Sequence, residues 1–445
     1  MRRAVVVGGG WAGLSAAWTL AHTGWAVVLL ERRPVLGGRA FSFWDPRAER
    51  VLDNGQHVLL GACTAVRSWL RSLGLDAAIR FEPRLDLPVF ADGFWGRLYS
   101  RPWPGGLHLL AALAGYRLLT PRERLALGRA ARGLARPAPD AMSFRTWLLD
   151  HGQSPHAIDR FWDLVVTAVL NCRADEASAA LATQAFRLGL LRGAEPARLG
   201  FFRWPLGQVA HRIGKALEGA GIRIRLGTAV KAVRAVTPAS VQVLLDDGTE
   251  LHADAAVLAV PPDRIGALVE TAEPAKHWQS LGWSPIVNVY LLYDRPVDAP
   301  PVFALADGEG SAFVFDRDHL LGAPPGRDGS LLAVSLSAAR SWLGRPAAQL
   351  AVSVAEGVAR AIPAAQAARL VYWRVVWQRR ATFWARPGCE TIRPVDPRWH
   401  PSVVVAGDWT GTGWPASLES AVRSGQAAAA CLNGLPPGDH GPNAA

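Results

Sequence analysis

After Met1-Arg2-Arg3 the chain reads Ala4-Val5-Val6-Val7-Gly8-Gly9-Gly10-Trp11-Ala12-Gly13 and runs on to Val27-Val28-Leu29-Leu30-Glu31. Four apolar residues, three of them β-branched, predict a short buried strand. A glycine turn and an Ala/Leu-rich helix follow, and Gly24 precedes a second apolar strand that ends in a carboxylate. Gly8, Gly10 and Gly13 fit G-x-G-x-x-G: the first permits a tight turn, the second close approach of a pyrophosphate, the third close helix-to-strand packing. Phosphates then sit against the amides that open the helix, at Trp11 and Ala12. Glu31, eighteen residues after Gly13, is placed to accept hydrogen bonds from ribose hydroxyls. The competing reading, a targeting or membrane segment behind Arg2-Arg3, conflicts with the glycines, the closing carboxylate and the lack of a small-residue cleavage site.

The 445 residues suffice for a large core and two or three domains, and with half of them apolar and nineteen tryptophans the chain is a folded one. Its net charge of +11 is nearly all arginine. Such a balance permits nucleic acid, an anionic membrane surface or an acidic partner, but no basic run with interleaved aromatics resembles a nucleic-acid module, and nucleic acid is discounted. Cys63, Cys172, Cys389 and Cys431 are isolated, without C-x-x-C or His/Cys pairing. This spacing implies a reducing, cytoplasmic setting and no structural metal.

Next comes Arg32-Arg33-Pro34-Val35-Leu36-Gly37-Gly38-Arg39, whose glycine doublet lets the backbone pass near a ligand and whose Arg39 can pair with a pyrophosphate. With Glu31, this spacing resembles the flavin amine oxidase and phytoene desaturase superfamily, and the resemblance implies FAD rather than NAD. Asp53-Asn54-Gly55-Gln56-His57 matches the segment that passes near the isoalloxazine in that superfamily. Gly55 thus becomes a cofactor-binding candidate, and Gln56 and His57 become catalytic candidates facing flavin or substrate.

Along the rest of the chain, residues 62–80 predict a surface helix with Val66, Leu70 and Leu73 on one side. Leu87-Pro88-Val89 and Arg101-Pro102-Trp103-Pro104-Gly105-Gly106 interrupt regular structure. Residues 107–119 form a nearly continuous apolar run, about 20 Å long as a helix and too short to cross roughly 30 Å of hydrocarbon. Arg117, Arg122, Arg124, Arg129, Arg132 and Arg136 adjoin it, so the pair suits either peripheral contact with an anionic membrane or a buried helix pair in a cap. Phe161 to Asn171 and Ala177 to Leu191 continue the helical cap, with Asp163 and Asn171 either reaching a substrate cavity or satisfied locally.

A helix over 207–219 precedes an alternating strand from Ile222, then an Asp247-Gly248 hairpin and a strand from Ala253 that stops at Pro261-Pro262. Val230 matches a residue near the adenine in the superfamily. Strands are expected at 286–293, 312–315, 331–336 and 370–377, with a helix at 347–361. No second strand-then-G-x-G-x-x-G occurs, so a dedicated NAD(P)H domain is absent. Val403-Val404-Val405-Ala406-Gly407-Asp408 ends a strand in a carboxylate suited to a ribitol chain, and Pro415 to Ser417 open a helix. The free amides around Ser417 and Leu418 suit the flavin pyrimidine carbonyls.

The reading is an α/β protein with an α+β second domain: a discontinuous Rossmann-like FAD-binding domain over 1–80, 201–262 and 391–433, a substrate-binding domain with helical cap over 81–200 and 263–390, and a disordered tail from 434. Within the superfamily, residues 53–61, Asn171 before Ala177-Ser178, and Gly407-Asp408-Trp409-Thr410 with Gly413-Trp414-Pro415-Ala416 look like the squalene-associated hydroxysqualene dehydroxylase branch. Cys63 departs from it, standing where the branch has an aromatic. The branch implies reductive dehydroxylation of hydroxysqualene to squalene in hopanoid supply, by hydride from reduced flavin. A carotenoid-type desaturase and a non-enzymatic lipid carrier like the GDP-dissociation inhibitors share the architecture and remain the alternatives.

Overall fold

The computed structural model describes residues 1–103, 107–269, 273–306, 311–322 and 329–435. Pro104-Gly105-Gly106 and the tail beyond Leu435 lie outside the described residues. The opening stretch folds as read: strand β1 (Arg3–Val7), helix α1 (Trp11–His22) and strand β2 (Ala26–Leu30), with β1 and β2 parallel. They belong to a six-stranded sheet in the order Arg223–Arg225, β2, β1, Ala255–Leu258, Val403–Val405, Arg398–His400. All neighbours are parallel except the last pair. Both faces of β1 are buried, which is why it reads as an unbroken apolar run. The C-terminal helix Leu418–Leu432 lies directly on α1: a Cβ at Gly425 would sit 2.2 Å from the Ala12 carbonyl, and Ser15 Oγ donates to the Val422 carbonyl at 2.9 Å.

A seven-stranded sheet runs in the order Leu370–Phe383, Trp283–Tyr293, Ser330–Leu336, Ala312–Asp316, Val302–Leu305, Asp86–Ala91, Phe94–Tyr99. One face packs Val287, Val289 and Leu291 with Leu350, Val354 and Val358 of the Ala347–Ala361 helix. The opposite face joins a larger core with cap residues Phe144, Trp147, Trp162 and Phe186. A small sheet pairs Val58–Leu60 and Ile79–Phe81 with Leu199–Phe202.

Four local expectations are revised. Leu87-Pro88-Val89 lies inside a strand, because pairing with Val302–Leu305 begins only at Val89 and Pro88 owes no ladder bond there. The overlooked signal was Asp92-Gly93, both at positive φ, which closes the hairpin to Phe94–Tyr99. The helix expected over 62–80 is Thr64–Ser72, and Phe161 lies in a π-turn, Ile158–Trp162, ahead of the Asp163–Leu170 helix. The apolar run from 107 is helical only to Ala114. After Gly115, Tyr116, Leu118 and Leu119 turn into the core, Arg124 donates to the Ala114 and Leu119 carbonyls, and a Thr120/Glu123 capping box starts the next helix, Pro121–Leu134. The described part of the run is therefore largely an internal element.

Asn171 clamps the cap to the second sheet. It ends the Asp163–Leu170 helix in the left-handed region (φ 52°) and its side chain is saturated. Nδ2 donates to the Ser284 carbonyl and Thr382 Oγ1, each at 3.0 Å, and Oδ1 accepts from the Ala338 amide at 2.6 Å. Asp163 is likewise satisfied, by Arg173 and the Ala174 amide, while burial pushes its pKa up. Neither is left over for a substrate. We expect Asn171→Ala to lower unfolding free energy by about 3 kcal/mol, since it orphans buried partners and puts a Cβ without compensation in the left-handed region; chemical denaturation measures it.

Candidate functional site

The glycine fingerprint performs three separate steric tasks. Gly8 has φ 111° and a Cβ there would meet the Ala259 carbonyl oxygen at 2.4 Å. At Gly13 a Cβ would lie 1.9 Å from the Gly8 carbonyl oxygen, so α1 can rest on the turn only with glycine there. Gly10 is different: the nearest atom to an added Cβ is 3.8 Å away, leaving open space over the turn. Gly10 is also the N-cap of α1 and offers no side chain to it, so the first-turn amides at Trp11, Ala12 and Gly13 remain for a ligand. A cradle with bare amides and an uncrowded second glycine fits the pyrophosphate of a dinucleotide. The Trp11 indole turns inward, edge-on to Trp69 and Phe202, so this residue meets a ligand through its backbone.

Glu31 is buried, with Oε2 accepting from the Gly9 amide at 2.7 Å and Oε1 from the Arg33 amide at 2.8 Å. These bonds hold the carboxylate beside the turn with lone pairs left for ribose. The Glu31 carbonyl accepts from Thr228, which brings the segment leading to Val230, at the start of the Val230–Thr237 strand, to the same edge. The glycine doublet folds back over the fingerprint: Gly37 donates to the Gly9 carbonyl at 2.9 Å, and a Cβ on Gly38 would lie 2.9 Å from Gly10 Cα. Arg32 is exposed.

Arg39 and Asp408 meet across 369 residues in an ion pair, and Arg39 also donates to the Ala381 carbonyl at 3.1 Å. Expected respectively to hold pyrophosphate and ribitol, they are here one another's partners. Gly407 is held by Ser424 Oγ (2.9 Å), and a Cβ on it would meet the Trp409 ring at 2.3 Å. Ser417 caps the C-terminal helix through the Ser420 amide, leaving the amides of Leu418 and Glu419 at its mouth.

Gln56 is placed as a strut. Its Oε1 accepts from Arg317 at 2.7 Å and its Nε2 donates to Tyr290 Oη at 3.0 Å, so both ends of the amide are engaged. Gly55 packs against Asn288, with 3.2 Å between an added Cβ and Nδ2. His57 lines a narrow cleft with Gln56, Val58, Phe201, Phe202, Phe315 and Arg317. Burial, and then the Arg39 charge, push the His57 pKa below its ordinary value against the pull of Asp53.

Four residues escaped sequence reasoning. Arg317 is buried against Asp53 at 2.7 Å. Tyr290 donates to the Asp53 carbonyl at 2.6 Å. Arg393, fully buried, gathers the Trp409, Thr410 and Trp414 carbonyls and so shapes the loop after Asp408. Glu419, with no exposure, accepts from the Ala65 and Val66 amides and from Arg423, docking the Thr64–Ser72 helix onto the C-terminal helix. No local pattern marks their roles, because the contacts that define them come from other elements of the chain.

The family model for flavin containing amine oxidoreductases matches residues 11–433. The chain belongs to that family. It is an FAD-dependent oxidoreductase. Hydroxysqualene dehydroxylase from Rhodopseudomonas palustris is 30% identical over 438 residues, covering 95% of this chain and 96% of its own. The chloroplastic/chromoplastic 15-cis-phytoene desaturase of Solanum lycopersicum is 25% identical over 453 residues, covering 96% and 77%. Among solved structures, a redesigned putrescine oxidase superposes with a TM-score of 0.74 at 18% identity, covering 97% and 99%, which speaks for the shared fold.

The buried Asp408 carboxylate fixes the half-buried Arg39 guanidinium beside the cofactor cradle, and removing it frees that arginine. Asp408→Ala is expected to weaken FAD retention by about tenfold or more. The ratio of flavin to protein absorbance after gel filtration reads this directly.

Proposed function

We propose that the protein reductively removes the hydroxyl of hydroxysqualene to give squalene, and so serves hopanoid supply. The observation that carries this reading is the near-full-length similarity to a hydroxysqualene dehydroxylase, joined to a cleft whose polar groups, Arg317 and His57, are set among Phe201, Phe202 and Phe315. Under it the cradle at Gly8, Gly10 and Gly13, with Glu31, Gly37, Gly38, Arg39, Val230, Asp408 and the Ser417–Leu418 amides, holds FAD, which when reduced supplies hydride. The allylic C–O bond breaks with its electron pair going to oxygen, which takes one proton supplied from solvent and leaves as water, and the carbon takes the hydride. The chain's own task is to exclude water and to orient a hydrocarbon whose burial contributes about 0.8 kcal/mol per CH₂. His57 remains the residue assigned to meet the leaving oxygen; Gln56, with both ends tied, supports the turn that carries it. Residues 1–80, 201–262 and 391–433 form the FAD-binding part and 81–200 with 263–390 the substrate-binding part in this reading. Anaerobic incubation of dithionite-reduced protein with hydroxysqualene should yield squalene, whereas oxidised protein with phytoene should yield no desaturated product. The reverse pattern would make it a desaturase.

The same reading places the protein against an anionic membrane, where its substrate resides. Among the described residues no helix is long and apolar enough to cross a bilayer. On the helix Pro121–Leu134 and just beyond it, Arg122, Leu125, Arg129, Arg132 and Arg136 recur at intervals of three and four and are all exposed. Four arginines on one stripe contribute on the order of 1 kcal/mol each near anionic lipid. We expect co-sedimentation with phosphatidylglycerol vesicles in low salt and little with phosphatidylcholine alone. Arg129→Glu with Arg132→Glu should abolish it, and equal pelleting of variant and parent would refute this contact.

A further inference from the structure

We propose that the cleft beside Gln56 and His57 contains a binding site for a neutral oxygen substituent, with the Arg317 guanidinium as the donor to that oxygen. This deepens the dehydroxylase reading and rests on it for the identity of the ligand, the hydroxyl of a long isoprenoid alcohol. Four polar side chains line the cleft, Asp53, Gln56, His57 and Arg317, and the oxygen that Arg317 would bind is the one the dehydroxylase reading sets beside His57. Asp53 is consumed, since Oδ1 accepts from Ser42 Oγ at 2.6 Å and from the Leu206 amide at 2.9 Å, and Oδ2 from Arg317 at 2.7 Å. Gln56 is tied at both ends and nearly spent, Oε1 accepting from Arg317 and Nε2 donating one of its two N–H groups to Tyr290.

Arg317 is not. A guanidinium carries five N–H donors, and among the described residues two are engaged, one by Asp53 and one by Gln56. Its side chain is only 8% exposed, yet it lines the cleft. A buried cation with donors to spare, held by two partners on one side, presents the remainder to whatever enters. Asp53 cancels its charge, so the site as a whole is neutral. An anionic ligand such as a carboxylate or diphosphate would bring an uncompensated charge in among Phe201, Phe202 and Phe315. An alcohol accepts the hydrogen bond without that penalty, and the cleft, with a cavity of about 10 Å³, has room for the oxygen itself. The pairing also aims the guanidinium: Asp53 is fixed by Ser42 and the start of the Leu206–Gly219 helix, and Gln56 by Tyr290, so Arg317 has little rotamer freedom left.

The test is equilibrium binding to the oxidised holoprotein, which cannot turn substrate over, followed by quenching of tryptophan fluorescence. Hydroxysqualene should bind about tenfold more tightly than squalene to the parent. Arg317→Met combined with Asp53→Asn, which leaves no orphaned carboxylate, should make the two affinities equal while leaving that for squalene within about twofold. Arg317→Lys keeps the ion pair and should retain part of the preference, and it serves alone if the double variant loses its flavin. The site is refuted if the parent shows no preference, if the preference survives in the variants, or if a triterpenoid carboxylate binds more tightly than the alcohol. An intact alcohol preference without squalene formation under reducing conditions would overturn the dehydroxylase reading and leave this site standing. Squalene formation without the preference would do the opposite.

Discussion

The two ends of the chain meet at a backbone contact, and the cofactor site depends on it. Gly425 lets the C-terminal helix come against Ala12 and Ser15 of α1 so closely that a single methyl group would collide with the Ala12 carbonyl. That approach packs the C-terminal helix along α1, and the chain leading into it carries Asp408 to Arg39. Each of these two helices opens with amides that no side chain fully caps, an end that favours negative charge. The Glu419 carboxylate would work against this at the second of them. It is drawn off by the first amides of the Thr64–Ser72 helix and by Arg423.

A second constraint joins the two-stranded ribbon Ser42–Asp45/Arg50–Asp53 and the Leu206–Gly219 helix to the seven-stranded sheet. Asp53, at the end of the Arg50–Asp53 strand, holds Ser42 and Leu206 on its own side and Arg317 and Tyr290 on the other. Asn54 and Asn288 extend the bridge, with Asn288 bonded onward to Ser335. Buried polar groups linked this completely are costly to disturb, because loss of any member leaves its neighbours unsatisfied in a low dielectric. The Gly55–His57 turn is therefore fixed relative to the seven-stranded sheet.

Legibility in the sequence followed the range of the interactions. The β1–α1–β2 unit, Glu31, the Asp247-Gly248 hairpin and the Ala347–Ala361 helix were readable because period, turn chemistry and capping act over a few residues. The Asp86–Ala91 strand was obscured by Pro88, whose tolerance depends on where a neighbouring strand begins to pair. The apolar run from Leu107 looked like one long helix because apolarity alone does not say whether Tyr116, Leu118 and Leu119 turn into the core.

From residue order alone came the dinucleotide fold, the family resemblance and FAD, since a glycine fingerprint acts through local backbone sterics that any reader of the chain can reconstruct. The roles of Gln56 and Arg317 came only with the folded chain. Gln56 lies within a motif that invites a chemical role, yet both ends of its amide are tied by residues more than two hundred positions away. Arg317 lies within no motif at all, and becomes the cleft's spare donor because the second sheet carries it to Asp53. Hydrogen-bond saturation depends on every neighbour in space, and spatial neighbours are what sequence order does not contain.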